Sequence, residues 1–176
     1  MKKYISFLII CLIIVTSFSE KTVKSSDEII KKECKRFSQD FKFYKHKGIR
    51  FSHYFEKEKE YFIFLTSDFS RIKGYSGNTD LILAVDRDMV IGKIELVSSE
   101  DTADYINFMT AFGFFSGFTG KTVNKETGKF DNVDVISGAT MTSQSVMGNI
   151  AETIEEAGKI IKNTTYDIKE KKLIFN

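Results

Sequence analysis

Small and hydroxyl-bearing residues are concentrated in residues 134–143, which read Asp-Val-Ile-Ser-Gly-Ala-Thr-Met-Thr-Ser. Glycine and alanine let a backbone come close to a ligand, and hydroxyl groups offer hydrogen-bond donors or a nucleophile. A helix that follows such a segment adds free N–H groups and the positive end of its dipole. The segment is therefore typical of a phosphate site. Its candidate ligand residues are Ser137, Gly138, Ala139, Thr140, Thr142 and Ser143.

An amphipathic helix is predicted directly after this segment, from Ser145 onward. Apolar residues recur there at steps of three and four, which place them on one face of a helix. These residues are Val146, Ile150, Ile154, Ala157 and Ile161. Thr142 or Ser143 is the expected N-cap. The alternative to a ligand site is an ordinary turn before a capped helix, and composition alone leaves both interpretations open.

Residues 134–140 resemble the flavinylation motif of the FMN-binding domain family, which includes the C subunit of the sodium-pumping NADH:quinone oxidoreductase and the G subunit of the Rnf complex. The motif runs Asp, two variable residues, Ser or Thr, Gly, Ala and Thr, and all five fixed positions match. The resemblance implies that Thr140 carries FMN through a phosphoester bond made by a flavin transferase. It also implies that Asp134 belongs to the surface that the transferase recognises.

Two more segments extend the resemblance over residues 60–162. A Gly-Tyr-Ser-Gly turn at residues 74–77 precedes a predicted hairpin, and aromatic residues alternate with glycines at residues 112–121. For these phenylalanines, core filling and contact with the flavin are both open. Between them, residues 98–105 depart from the Glu-Thr-Pro-Gly loop that is usual in the family. Glu100 and Thr102 match the family loop only loosely, and they are the flavin-site candidates in this segment.

The remaining pattern predicts an α+β fold, with a single small domain in which antiparallel hairpins pack against an N-terminal and a C-terminal helix. Strands are expected at residues 49–55, 61–66, 81–85 and 90–97. Residues 49–55 alternate between apolar and polar side chains, which indicates a half-buried strand.

The predicted N-terminal helix is amphipathic and covers residues 27–46. Its apolar positions recur at helical spacing and are Ile30, Cys34, Phe37, Phe41 and Tyr44. The FMN-binding domain is then expected at residues 49–165. A tail at residues 166–176 is expected to form an edge strand or a docked terminus.

Residues 1–19 are predicted to be a signal peptide or a membrane anchor. Lys2 and Lys3 precede an uncharged apolar run, and Ser17 and Ser19 suit cleavage before Glu20. The run is shorter than the roughly 20 residues of a membrane span, whereas the resemblance favours an anchor, so both remain open. In either case the protein is expected to be exported to the outer face of the cytoplasmic membrane, the periplasm or the cell surface.

Charge and cysteine content exclude several classes of function. Without Lys2 and Lys3 the chain has 24 basic and 24 acidic residues, which argues against nucleic acid as a partner. Only Cys34 remains beyond the leader, so no intramolecular disulfide is expected. One cysteine and two histidines do not make a metal-ligand set.

These features predict an extracytoplasmic electron-transfer flavoprotein, a carrier or redox subunit more than a stand-alone enzyme, with a membrane or extracytoplasmic redox partner. One alternative is a sensory or surface module that holds FMN without a covalent bond. The other is a flavin-free surface protein with the same fold. Only a covalent flavoprotein keeps its colour and added mass after denaturation.

Overall fold

The computed structural model describes residues 26–124 and 126–176 and shows an α+β fold, as predicted. The predicted leader lies outside the described residues. The helices are α1 Ser26–Cys34, α2 Ala103–Ala111 and α3 Thr140–Lys162. The strands are β1 Lys42–His46, β2 Ile49–Glu56, β3 Lys59–Leu65, β4 Thr79–Val85, β5 Ile91–Ser99, β6 Thr164–Asp167 and β7 Lys172–Phe175. The first five form one antiparallel sheet in chain order, and β6 pairs with β7.

The four predicted strands are confirmed as β2 to β5, with ends shifted by one or two residues. The interpretation of residues 49–55 as half-buried is wrong, because the sheet is covered on both faces. In β3, Phe62 lies in the core formed with Val146 of α3, whereas its neighbour Ile63 lies against Ile30 of α1. Successive side chains of a strand point to opposite faces. The middle of β2 is therefore buried throughout, and it includes Phe51, Ser52, His53 and Tyr54.

The predicted helix over residues 27–46 is wrong in its second half. The helix ends at Cys34, and Lys42–His46 forms β1 instead, paired with β2. Phe43 joins the apolar cluster beneath α1, whereas Tyr44 joins the core on the other face of the sheet. The apolar residues of the predicted helix recur at steps of three and four, which is helical spacing. In its second half, backbone hydrogen bonds to β2 favour an extended chain instead.

The amphipathic helix predicted after the hydroxyl-rich segment is confirmed as α3, and all five of its predicted apolar positions are buried. Its start is not where the sequence indicated. The helix begins at Thr140, so its N-cap is Ala139, and no side chain caps it. Thr142 and Ser143 lie inside the first turn, and both are buried.

The expected docking of residues 166–176 is confirmed. The hairpin of β6 and β7 places Leu173 in the core, and the backbone N–H of Leu173 donates to Tyr44 Oη at 3.1 Å. In the part of the chain that the structure describes, no helix combines the length and apolar character needed to span a bilayer.

We predict that the Cys34 thiol is unreactive in the native protein. Its side chain is fully buried beneath the sheet. Burial raises the pKa of the thiol to about 11. Because the thiolate is the reactive form, a thiol reagent at pH 8 should modify Cys34 only after denaturation. A Cys11→Ser variant leaves Cys34 as the single reporter, and stoichiometric labelling of this variant without denaturant would contradict the prediction.

Candidate functional site

Thr140 is the first residue of α3, and its side chain is exposed at the edge of a shallow depression of about 220 Å³. The depression is lined by Tyr75, Tyr105, Gly138, Ala139, Thr140, Met141 and Thr142. Four of these residues were predicted as ligands. A larger groove, of about 900 Å³, runs along the later part of α3, but none of the predicted site residues is among those that line it. Thr140 therefore lies at the edge of a hollow.

The turn before α3 is shaped by Gly138 and fastened by Ser143. Gly138 has a φ of +88°, in the left-handed region that residues with a side chain rarely adopt. Ser143 Oγ donates to the carbonyl oxygen of Ala139 at 2.8 Å and accepts from the N–H of Ile136 at 3.1 Å. The Ser143 hydroxyl is thus hydrogen-bonded within the fold, and Ser143 is not the N-cap that the sequence predicted.

Thr142 is also engaged inside the protein, where its hydroxyl donates to Asp101 Oδ2 at 2.5 Å. The Asp101 carboxylate is buried and accepts three more hydrogen bonds, from the backbone N–H groups of Tyr75 at 3.0 Å, Ser76 at 2.9 Å and Thr102 at 2.9 Å. One carboxylate therefore joins the turn at residues 74–77, the loop before α2 and the first turn of α3. These are the segments that surround the depression.

Gly74 makes this arrangement possible. A Cβ atom at this position would overlap the Asp101 carboxylate, and Ser145 Oγ would lie 3.2 Å from it. Only a residue without a side chain lets the backbone of the 74–77 turn come so near the carboxylate. The first glycine of the Gly-Tyr-Ser-Gly turn is therefore needed for close approach.

We predict that Asp101 makes the protein more stable above pH 4 than below it. Burial raises the pKa of Asp101, but hydrogen bonds from Thr142 and from three backbone N–H groups outweigh burial and hold it below its ordinary value. Because the pKa is lower in the folded state, the stabilisation is present above the unfolded pKa of about 4 and is lost as pH falls through the folded value.

Urea unfolding measured between pH 7 and pH 3 tests this prediction. Asp101→Asn should lose less stability than the wild type over this range, because it has no proton to bind at this position. Asp104→Asn is the control, since Asp104 is an exposed carboxylate three residues away. Equal acid dependence in the wild type and in Asp101→Asn would contradict the assignment.

The other predicted site residues lie outside the depression. Glu100 accepts from the backbone and side-chain N–H groups of Asn78, both at 3.2 Å, and Thr102 Oγ1 lies 3.1 Å from Ser76 Oγ. Asp134 and Ser137 are exposed on the turn before α3, where another protein can reach them. The segment at residues 98–105 thus contributes Tyr105 to the lining and Asp101 to the support of the depression, and the sequence analysis selected neither.

Tyr75 and Tyr105 are the other two residues that sequence reasoning missed. Their ring centroids are 5.6 Å apart and their planes meet at 79° beside Thr140. The Gly-Tyr-Ser-Gly turn was a usable signal for Tyr75, whereas nothing local marked Tyr105. The open question about residues 112–121 is settled for three residues, because Phe114, Phe115 and Phe118 are buried in the core.

The fold and this site define a class of protein. It is a small α+β domain in which the first residue of a helix carries an exposed hydroxyl beside a depression lined by aromatic side chains. The sequence model of the FMN-binding domain family matches residues 74–155, which include both tyrosines, Asp101 and Thr140. Residues 74–155 therefore form an FMN-binding domain, as the motif predicted. A comparison with curated proteins found no match.

The residues at the site fit FMN. The first N–H groups of α3 have no acceptor within the helix, and Ala139 offers no side-chain cap, so an anion can take that place. The aromatic side chains beside Thr140 suit a flat ring system. Thr140, the backbone around Gly138 and the first turn of α3 would hold the phosphate end of the cofactor.

Proposed function

We propose that this protein is an extracytoplasmic electron-transfer flavoprotein that carries FMN in a phosphoester bond to Thr140. The observation that carries the proposal is the exposed Thr140 hydroxyl, placed by a matching flavinylation motif at the start of a helix and beside the depression. When bound, FMN supplies reversible one-electron and two-electron redox chemistry, and the protein supplies its position and surroundings.

The shallow depression favours a covalent bond over simple binding. Pockets that hold small ligands by burial usually enclose about 300–1,000 Å³. The depression beside Thr140 is smaller, about 220 Å³. An FMN molecule there would remain partly exposed, and burial alone would hold it weakly. A covalent bond replaces that weak equilibrium by a permanently high local concentration.

The backbone at the start of α3 would hold the phosphate end of the cofactor. Ser143 N–H donates to the carbonyl oxygen of Ala139, which is the first hydrogen bond of the helix. The N–H groups of the preceding three residues therefore have no acceptor within the helix. A phosphodiester keeps one negative charge, which the helix dipole favours by about 0.3–1 kcal/mol.

Formation of the bond requires a second protein. The Thr140 oxygen would attack the phosphorus of an FMN unit held in a phosphoanhydride, as in a flavin dinucleotide. The anhydride P–O bond breaks, a nucleoside monophosphate leaves, and the hydroxyl proton passes to a base. No charged side chain is among the described residues that line the depression, and Asp101 already accepts four hydrogen bonds. A flavin transferase supplies the base and recognises the exposed turn that contains Asp134.

Export is supported by the basic and apolar character of residues 1–19 and by the nature of the bond. A protein outside the cytoplasm meets little free flavin, so a dissociable cofactor would be lost there. The redox partner in this proposal is a membrane or extracytoplasmic protein that reaches the exposed flavin edge.

Intact mass and absorption after denaturation test this function. The protein is co-expressed with a flavin transferase and, as a control, without it. We expect a mass increase of one FMN less one water, and a yellow colour that remains with the unfolded chain, only in the first case. Reversible bleaching by dithionite and air would show redox turnover. Colour that is lost on unfolding would instead support the non-covalent sensory or surface module, and absence of flavin would support the flavin-free alternative.

A further inference from the structure

The depression beside Thr140 has an aromatic side that comes from outside the flavinylation motif. Tyr75 lies in the turn at residues 74–77, and Tyr105 lies in the first turn of α2. Tyr75 is 62% exposed, although a large aromatic side chain on a surface leaves much apolar area in water. A ring system bound beside Thr140 can cover this exposed aromatic ring.

The two tyrosines are held in place by the buried network around Asp101. The carboxylate fixes the backbone N–H groups of Tyr75 and Ser76, and it also accepts from Thr102, the N-cap residue of α2. Its hydrogen bond with Thr142 ties the same group to the first turn of α3. The backbone segments that carry the two tyrosines and Thr140 are therefore joined through one carboxylate.

The angle between the rings suits a flat aromatic ligand. Aromatic rings attract one another in offset-stacked and edge-to-face arrangements, with centroids about 4.5–7 Å apart. Because the planes of Tyr75 and Tyr105 meet at 79°, a third flat ring can stack on one of them while it meets the edge of the other. No charged side chain is among the described residues that line the depression, so a flat ring that lies there meets no side-chain charge.

A second exposed aromatic pair does not meet these conditions. Phe108 and Phe112 have ring centroids 4.5 Å apart, and Phe112 is 67% exposed. Neither ring is among the residues that line the depression beside Thr140. The position of the tyrosines, more than their exposure alone, distinguishes them.

We propose that Tyr75 and Tyr105 are the flavin-contacting residues of this protein and form the aromatic wall against which the isoalloxazine of an FMN on Thr140 lies. This inference rests on the proposed function, since it needs a flavin at Thr140. It adds the residues that orient the ring, which the flavinylation motif does not contain.

Flavin fluorescence tests the inference independently of redox activity. An excited flavin takes an electron from a tyrosine ring in contact with it, and its emission is quenched. Phenylalanine keeps the ring shape but is too difficult to oxidise. We expect weak emission from the flavinylated wild type and a several-fold rise in the Tyr75→Phe/Tyr105→Phe double variant. Tyr166→Phe is the matched control and should leave emission unchanged, because Tyr166 packs against His53 and Phe55 instead.

Intact mass measured on each sample separates this inference from the proposed function. Emission as strong as that of free FMN in a labelled wild type, or equal quenching in the double variant, would overturn the inference while Thr140 attachment stands.

If the wild type carries no label, free FMN is titrated into the same proteins. Quenching that depends on the two tyrosines would then support the aromatic wall, and quenching that does not depend on them would overturn it.

Discussion

Thr140→Ala is expected to abolish covalent flavin attachment completely, because the substitution removes the only hydroxyl of the motif that is both exposed and beside the depression. Co-expression with a flavin transferase followed by intact mass should show the added mass on the wild type and none on the variant. The fold should be unaffected to within about 0.5 kcal/mol, since the Thr140 side chain is on the surface and alanine is a good helix former.

Three further variants sharpen this result. Thr140→Ser keeps a hydroxyl at the same position and should retain the label. Thr142→Val removes the neighbouring hydroxyl, which donates to Asp101, and the soluble protein should still be labelled. Thr119→Ala removes an exposed threonine elsewhere and should behave as the wild type. Equal labelling of the wild type and Thr140→Ala would exclude Thr140 as the acceptor, and digestion would then locate the true site.

Asp101→Asn should produce the largest loss of stability among single substitutions near the site, about 2–4 kcal/mol in the free energy of unfolding at pH 7. An asparagine amide presents a donor where the carboxylate accepts from four donors, so at least one part-buried N–H group loses its acceptor. Asp104→Asn makes the same change of charge on an exposed residue and should cost less than about 1 kcal/mol.

A double-mutant cycle locates the origin of this loss. Thr142→Val removes one of the four donors, so its effect and that of Asp101→Asn should not add when the two are combined. Urea unfolding of the wild type, the two single variants and the double variant gives the coupling energy. Strict additivity, or a loss in Asp101→Asn no greater than in Asp104→Asn, would show that the carboxylate does not join the three segments.

The sequence predicted the elements whose evidence is local. The five apolar positions of α3 follow a helical period, and β2 to β5 correspond to strand-like segments bounded by turns. The structure confirms this helix and these four strands. The motif around Thr140 was equally visible, because its five fixed residues lie within residues 134–140. Local patterns failed where the same spacing of apolar residues fits both a helix and a strand, as in the segment that contains β1.

What the sequence by itself determined about this protein is the family, the candidate residue Thr140 and the amphipathic helix on its C-terminal side, because each is encoded by residues close together in the chain. The tertiary structure alone decided which hydroxyls face outward. Thr140 is exposed, whereas Thr142 and Ser143, close by in the same turn, are buried and hydrogen-bonded. It also brought Tyr75, Asp101 and Tyr105 to the start of α3. The physical reason is that the packing partners of a helix decide which of its sides is buried. Residues far apart in the chain meet only when the sheet, α2 and α3 are assembled.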